Sequence, residues 1–523
     1  MEVESYACHI NAYLGNDPFL KDVLPIHPQN FFDAVKDGVL LCKLINLAVP
    51  GTIDERAINS KGSLTPQDKI DNHTLFLMSA MAIGLTSDIT AGELAEAGSD
   101  ALIGLISEII KIQLLADVNL IRTPGLLELA ENNQDSEKLM RSPPDMLLLK
   151  WINHMFRKGG VCRRVSNFSS DMKDSSVYAY LLDILVPGFD VKSSAMQKVG
   201  YNRAYFVLKI AKGIGCKVFL SPDHIVHGVP TLNLAFVAQI FHRSNGLSNK
   251  GIPPPVNQTL HEIEVSREKR FYQLWINSLG KSTCIYTFFE DLKDGWVLLQ
   301  LLDKVSPKSV DWSIANRGPI AQPSKMMENC NQVLQIARKL RFYLPGISGK
   351  HIFQGRKTAV LMILWELKKH YMRDRLKNCG FVSREVEITD SDILACANKK
   401  VEGSNKNTSK IESFQDKSLS GGTFFLSLLN AVGPHTVNWS HVTQGQNEQE
   451  KKSNASYLIS VARKLGCPVF LLPEDILDVK PEMMICLTAD ILTRELELSA
   501  SNLLTDENGS SCMYGISVLS MPV

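Results

Sequence analysis

Val35-Lys-Asp-Gly-Val-Leu-Leu-Cys-Lys-Leu-Ile-Asn-Leu-Ala-Val-Pro50 decides the fold, because the chain writes it again. It returns as Met172-Lys-Asp-Ser-Ser-Val-Tyr-Ala-Tyr-Leu-Leu-Asp-Ile-Leu-Val-Pro187 and as Leu292-Lys-Asp-Gly-Trp-Val-Leu-Leu-Gln-Leu-Leu-Asp-Lys-Val-Ser-Pro307. A fourth copy, Leu419-Ser-Gly-Gly-Thr-Phe-Phe-Leu-Ser-Leu-Leu-Asn-Ala-Val-Gly-Pro434, has lost the Lys-Asp pair. Counted between the closing prolines, the repeat spans 137, 120 and 127 residues. Apolar residues recur at i, i+1, i+4, i+5 and i+8: Leu40, Leu41, Leu44, Ile45 and Ala48 in the first copy, Val297, Leu298, Leu301, Leu302 and Val305 in the third, Phe424, Phe425, Leu428, Leu429 and Val432 in the fourth. That spacing is one buried stripe of a helix. Asp37, Asp174 and Asp294 stand where an N-cap is wanted, and the proline closes the helix.

Working outward, each copy has an upstream first-helix signature: His9-Ile-Asn11, Trp151-Ile-Asn153, Trp275-Ile-Asn277 and Cys396-Ala-Asn398. Trp151 and Trp275 are expected to anchor a core, since a large aromatic buries the most apolar area. Downstream, an Ala and a residue four later mark another helix: Ala80/Gly84, Ala211/Gly215, Ala337/Arg341 and Ala462/Gly466. A turn then leads to a last apolar helix at Leu102–Leu115, Leu232–Phe241, Ala359–Leu367 and Met483–Leu492. No period-2 strand pattern lies between these elements, so the expected fold is all-α: four helical bundles in tandem.

The linkers follow from composition. Asn132–Asp145 is polar and contains Pro143-Pro144, and Asp374–Ile388 is charged. Ser244–Glu264 contains Gly251-Ile-Pro-Pro-Pro255, the strongest breaker and the expected hinge between two halves. The last residues, 498–523, read as a flexible tail. The expected modules are 1–121, 142–245, 266–373 and 388–497.

The totals exclude several classes of function. The 523 residues suit about three to five domains. Lys and Arg number 56 against 55 Asp and Glu, so no global field favours nucleic acid or a membrane surface. The eleven cysteines are scattered, and none form a CxxC pair. They read as reduced thiols of a cytosolic protein, not as a disulfide framework or zinc site. No signal peptide is visible at the start, and the apolar run Ala101–Leu115 is broken by Glu108 and Lys111. Gly280-Lys-Ser-Thr283 echoes the end of a phosphate-binding loop, but Trp275 occupies the position of the required glycine. No constellation for catalysis, cofactor or metal emerges, and the expectation is a non-enzymatic protein with none of these.

With Trp-Ile-Asn on the first helix, Lys-Asp-Gly opening the core helix and Ala-x-x-x-Gly before the last helix, each module resembles the calponin-homology fold. Four in tandem resemble the fimbrin/plastin family of actin-bundling proteins, with strings such as Val49-Pro-Gly-Thr-Ile-Asp-Glu-Arg-Ala-Ile-Asn59 and Ala462-Arg-Lys-Leu-Gly-Cys-Pro-Val-Phe-Leu-Leu-Pro473 similar to the plant members. The resemblance implies two actin-binding domains, 1–245 and 266–497, on one cytoplasmic, cytoskeletal monomer whose partner is F-actin. It implies contact surfaces at Tyr6–Leu14, Leu102–Asn119 and Met146–Arg157 in the first half. In the second half they fall at Lys269–Leu279, Val360–Lys377 and Ile393–Val401. The chain departs from the family in three ways. No EF-hand loop occurs, so calcium control is not supported. His9 and Cys396 replace the tryptophan, and Ser420-Gly421 replaces Lys-Asp.

On these surfaces the candidate actin contacts are Ile109, Ile110, Lys111, Gln113, Leu114, Lys150 and Arg157, then Lys368, Lys369, Arg373, Lys399 and Lys400. The helix ending module one has too many apolar faces for one buried stripe, which suggests a partner surface. The helix ending module three carries a basic face, Lys368-Lys-His-Tyr-Met-Arg373. It would meet acidic actin with a salt-sensitive attraction. Residues 1–122 hold eight Lys/Arg against sixteen Asp/Glu, so the first half should rely on apolar contact more than on charge. The Ser-rich loop Gly403–Ser420 reads as a flexible loop or a phosphorylation site. A second functional reading is an adaptor in which one pair binds actin and the other a different protein, motivated by the altered signature of module four.

Overall fold

A computed structural model describes the chain except residues 1, 61, 97–99, 121, 131–138, 140–141, 187–189, 249–259, 319, 384–385, 405–409 and 507–523; the side chains of 260–265, 281, 404 and 501–506 are also left aside. The hinge Gly251–Pro255, most of the linker Asn132–Asp145, part of the Ser-rich loop and the end of the tail lie outside the described residues. Among the described residues every regular element is an α- or 3-10 helix.

The core helices are Val39–Ala48, Ser176–Leu185, Trp296–Val305 and Thr423–Val432. They bury more than the single stripe read from the sequence. Cys42, Leu299 and Leu426 are buried as well, while Val297 and Val432 are only half-buried, because neighbours cover the helix on several sides. The aspartates sit one residue before the N-cap position expected of them. Gly38, Ser175, Gly295 and Gly422 occupy that position with φ of 77°, 60°, 75° and 74°. Asp37, Asp174 and Asp294 reach past it to accept the N–H of Val39, Ser176 and Trp296 at 2.9, 3.0 and 2.9 Å. The left-handed turn favours glycine. At Gly295 space demands it too, because a Cβ there would lie 2.9 Å from both the Asn329 Cβ and the Cys330 nitrogen.

The third helices, Pro66–Ala82, Gly200–Gly213, Pro323–Lys339 and Glu448–Lys464, end as the Ala-x-x-x-Gly signal requires. Gly84, Gly215, Arg341 and Gly466 are left-handed, with φ of 96°, 90°, 59° and 95°. The residue after each sends its N–H back to the marked alanine: Leu85 to Ala80, Cys216 to Ala211, Phe342 to Ala337 and Cys467 to Ala462, at 3.0, 3.0, 2.9 and 3.0 Å. This satisfies orphan carbonyls at the helix end.

The asparagine of the first-helix signature does the same work four times. Asn11 grips the backbone N–H and carbonyl of Ile26, at 2.8 and 2.7 Å. Asn153 grips Val165, at 2.8 Å for both bonds. Asn277 holds Ile285 at 2.8 and 3.1 Å, and Asn398 holds Ile411 at 3.0 and 2.9 Å. The side-chain amide thus pairs with a loop backbone as a strand would.

The closing helices are Asp100–Leu115, Pro230–Arg243, Lys357–Asn378 and Pro481–Asp506. The third extends into the segment read as a charged linker. The fourth continues into the segment read as tail.

By contact the chain forms two compact units, residues 1–50 with 96–257, and residues 51–95 with 258–523. Residues 51–95 of module one therefore belong with modules three and four, a grouping that the sequence repeat does not reveal.

Candidate filament-binding surfaces

In the first unit, modules one and two join through first and closing helices. Ser5 Oγ lies 3.3 Å from His224 Nδ1, Lys217 donates to the Ala12 carbonyl at 3.1 Å, Gln239 donates to the Tyr13 hydroxyl at 3.2 Å, and His242 Nε2 bonds the Leu114 carbonyl at 2.6 Å. His9, standing where modules two and three have Trp, fills its place against Tyr13 and edge-on to Phe219, with its Nε2 2.7 Å from Gln113 Oε1. Burial disfavours its charged form and holds its pKa at about 4. Trp151 is fully buried, edge-on to Phe241 at 5.0 Å, and its indole N–H donates to the Asn245 carbonyl at 2.8 Å.

This junction corrects the reading of the helix that ends module one. Ile109, Ile110 and Leu114 are only 1%, 3% and 3% exposed. The Asp100–Leu115 helix packs on the core helix with one face and on Pro230–Arg243 of module two with another. Its surplus apolar face is thus covered within the chain. Gln113 is engaged by His9, and Lys111 pairs with Glu108 at 3.5 Å. On the first helix of module two, Lys150 donates to Ser142 Oγ at 3.3 Å and Arg157 is exposed.

In the second unit, modules three and four join in a related way, with far more charge. Arg270 donates to the Phe470 carbonyl at 2.8 Å, and Phe271 meets the Phe470 ring edge-on at 6.4 Å. Lys368, expected on a solvent-facing basic surface, is 1% exposed. Its ammonium lies 3.9 Å from Asp490 Oδ2 and above the rings of Phe271, Trp275 and Tyr371. A lysine stem can run through apolar surroundings when its head finds a carboxylate and ring faces. Lys369 pairs with Glu366, Arg373 with Asp390 at 2.7 Å, and Lys400 with Glu495, while Lys399 is exposed. Of the five basic candidates in this half, one is internal and three are neutralised by a neighbour.

The same unit contains a contact that the sequence left without a role. In the quoted string Val49–Asn59, Arg56 donates to the carbonyls of His441 and Ser453 at 2.9 and 2.7 Å, and lies 5.1 Å from the Tyr457 ring centre. The Asp54 N–H donates to Ser460 Oγ at 2.8 Å, Arg463 donates to the Thr52 carbonyl at 2.7 Å, and Lys464 to Asn59 Oδ1 at 2.6 Å. Arg463 is fully enclosed, and burial pulls its pKa down to about 9. Asp54, Glu55 and Arg56, three consecutive charged residues within that string, were the available signal.

Among the described residues no group of three or more His, Cys, Asp or Glu side chains could hold a metal ion, and no helix is long and apolar enough to cross a membrane.

The calponin homology (CH) domain family matches residues 10–114, 142–246, 266–373 and 388–495. Fimbrin-5 of Arabidopsis thaliana is 50% identical over 524 residues, spanning 98% of this chain and 76% of that protein. Plastin-1 of Homo sapiens is 37% identical over 503 residues, spanning 93% and 78%. The crystal structure of the actin-crosslinking core of Schizosaccharomyces pombe fimbrin matches with a TM-score of 0.82 at 34% identity, covering 94% of this chain and 99% of that one.

Proposed function

Because the chain belongs to the fimbrin/plastin family of four-module calponin-homology proteins, we infer that it binds actin filaments and cross-links them into tight bundles. The observation that carries this reading is the extent of the match to an actin-crosslinking core: it runs over nearly the whole of both chains, so both pairs of modules are present together. Each pair, 1–245 and 266–497, is one grip. Once one grip holds a filament, the other meets its own filament at an effective concentration on the order of mM, so individually weak contacts suffice for bundling. A single chain carries both grips, so the working species is a monomer on the cytoplasmic actin cytoskeleton, with no nucleic acid, membrane or cofactor in its task. The work is mechanical, and no bond is made or broken.

The contact surfaces draw on what remains outward-facing: Arg157 with Lys150 and Lys111 in the first half, Lys399 with Lys369, Arg373 and Lys400 in the second. Most of these cations already have a partner, so shape and apolar contact carry more of the affinity than net charge. Sedimentation at two speeds tests the reading. Filaments should pellet with the chain at high speed and, as bundles, at low speed. Filaments that bind the chain yet stay in the low-speed supernatant at every ratio would contradict it.

A further inference from the structure

We propose that Ser166 of module two is a phosphorylation site read by an arginine-directed protein kinase. The segment runs Cys162-Arg-Arg-Val-Ser-Asn167. Ser166 is the one Ser or Thr in the 523 residues with a basic residue both two and three positions before it. Residues 161–167 contain no helix or turn, and exposure alternates along them: Cys162, Arg164 and Ser166 are exposed, while Val165 is buried. Extended backbone has this period of two, so Arg164 and Ser166 point outward on one side. Kinases take their substrates as extended segments, and this one already has that shape.

The fold does not require these residues. Asp171 accepts the backbone N–H groups of Ser166 and Asn167 at 2.7 and 3.3 Å. Module three builds the same turn, with Asp291 accepting those of Tyr286 and Thr287 at 2.7 Å each. There Thr283, Cys284 and Tyr286 stand in place of Arg163, Arg164 and Ser166. The turn therefore needs the carboxylate, not the hydroxyl or the arginines. Arg163 does have a structural part, bonding the Asp174 carboxylate at 2.7 Å and the Asp171 carbonyl at 2.6 Å. Arg164 is exposed, and among the described residues no carboxylate pairs with it.

The co-substrate is ATP. The Ser166 Oγ–phosphorus bond forms, the bond from the γ-phosphorus to the bridging oxygen breaks to release ADP, and the hydroxyl proton passes to the base of the kinase. The product cannot keep the old contacts. The Ser166 hydroxyl lies 2.8 Å from Asp171 Oδ2, and a phosphate brings a charge of about −1.5 to −2 to that spot. Repelled by Asp171, it turns outward, where the Arg164 guanidinium offers a charge-assisted fork. The three bonds from Ser166 and Asn167 to Asp171 are given up. Val165 stays in the Asn153 clamp, so the segment loosens beyond it while the module remains folded. The first helix of module two, Pro144–Lys158, leads into this segment. A weaker grip of the first half on actin is a consequence that rests on the filament reading above.

The test incubates the full chain with ATP and the catalytic subunit of cAMP-dependent protein kinase, an arginine-directed enzyme, and reads the product by mass spectrometry. Phosphate is expected on Ser166, and Ser166→Ala should remove it. Arg164→Ala should slow the transfer at least about tenfold, the equivalent of one charge-assisted contact. Both residues are exposed, so these variants should keep the native thermal transition. In the phosphorylated chain, amide exchange at Ser166 and Asn167 should be at least about tenfold faster, as for loss of one hydrogen bond to a charged group. Exchange in the core helix Ser176–Leu185 should not change. A synthetic peptide of residues 160–169 serves as the open form of the same sequence. Transfer to the peptide but not to the chain, or to neither, overturns the site. So does an unchanged rate in Arg164→Ala, or phosphate found elsewhere with Ser166 unmodified. Unchanged exchange after phosphorylation overturns the loosening. None of these arms contains a filament, so their failure is separate from failure of the bundling reading.

Discussion

The ammonium of Lys368 lies 3.9 Å from Asp490 Oδ2, with the two side chains only 1% and 10% exposed, and this pair ties the closing helices of modules three and four together. Burial raises the Asp490 carboxyl above its ordinary range, opposed by the positive charge of Lys368 and Arg375. Removing one partner of a buried pair strands the other, at a cost of about 3–5 kcal/mol. Lys368→Glu, which sets two carboxylates against each other, should therefore lower urea stability of the second unit by at least about that much. Lys368→Met with Asp490→Leu should recover most of it. Unchanged stability in Lys368→Glu would mean that the lysine is not enclosed. Loss of filament binding in that variant would report unfolding and not a lost contact.

Leu298 is fully buried in the core helix of module three. Leu298→Asp places an unpaired charge there and should cost several kcal/mol, enough to abolish the module's thermal transition. A native transition in this variant would contradict the helix assignment.

His9 makes the first unit sensitive to acid. Its pKa is held at about 4 when folded against an ordinary 6.5, so the unfolded chain takes up the proton first as pH falls. The stability from neutral His9 is complete above pH 6.5 and is lost as pH drops toward 4, by roughly 3 kcal/mol. Denaturation followed across this range should show the slope, and His9→Phe should flatten it. A slope that persists in His9→Phe would assign the acid sensitivity to other groups.

Asn153 makes two bonds to Val165 and one to the Leu149 carbonyl. Asn153→Ala leaves the Val165 N–H and carbonyl without these partners and should cost about 1–3 kcal/mol. Hydrogen exchange at Val165 should accelerate, while exchange in the core helix Ser176–Leu185 changes little.

Arg157 and Lys399 are both exposed, one in each half. Arg157→Glu and Lys399→Glu should each weaken filament binding up to about tenfold, more at low salt than at high, with no change in thermal stability. Co-sedimentation across a salt series measures this. Full binding in both variants would remove the two residues from the contact.

The core helices were legible because their apolar stripe depends on local spacing alone, and the left-handed turn before each was announced by glycine in three copies of four. The asparagine clamps were visible as a repeated letter but not as a hydrogen-bonding device, since the loop backbone they hold carries no signal of its own. Periodicity shows that a helix face is apolar, not what covers it. The surplus apolar face of Asp100–Leu115 therefore suggested an external partner, whereas module two supplies the cover. Lys368 misled for the complementary reason. Its long stem and charged head suit a surface, and only Asp490, brought close by folding, makes its burial tolerable. Arg56 and Arg463 stayed silent because backbone carbonyls of distant segments are their partners.

Electron micrographs of F-actin mixed with the purified full chain test the central claim most directly, that one molecule holds two filaments. The account predicts closely spaced bundles. Filaments that are evenly decorated but remain single, at saturating amounts of the chain, would contradict it.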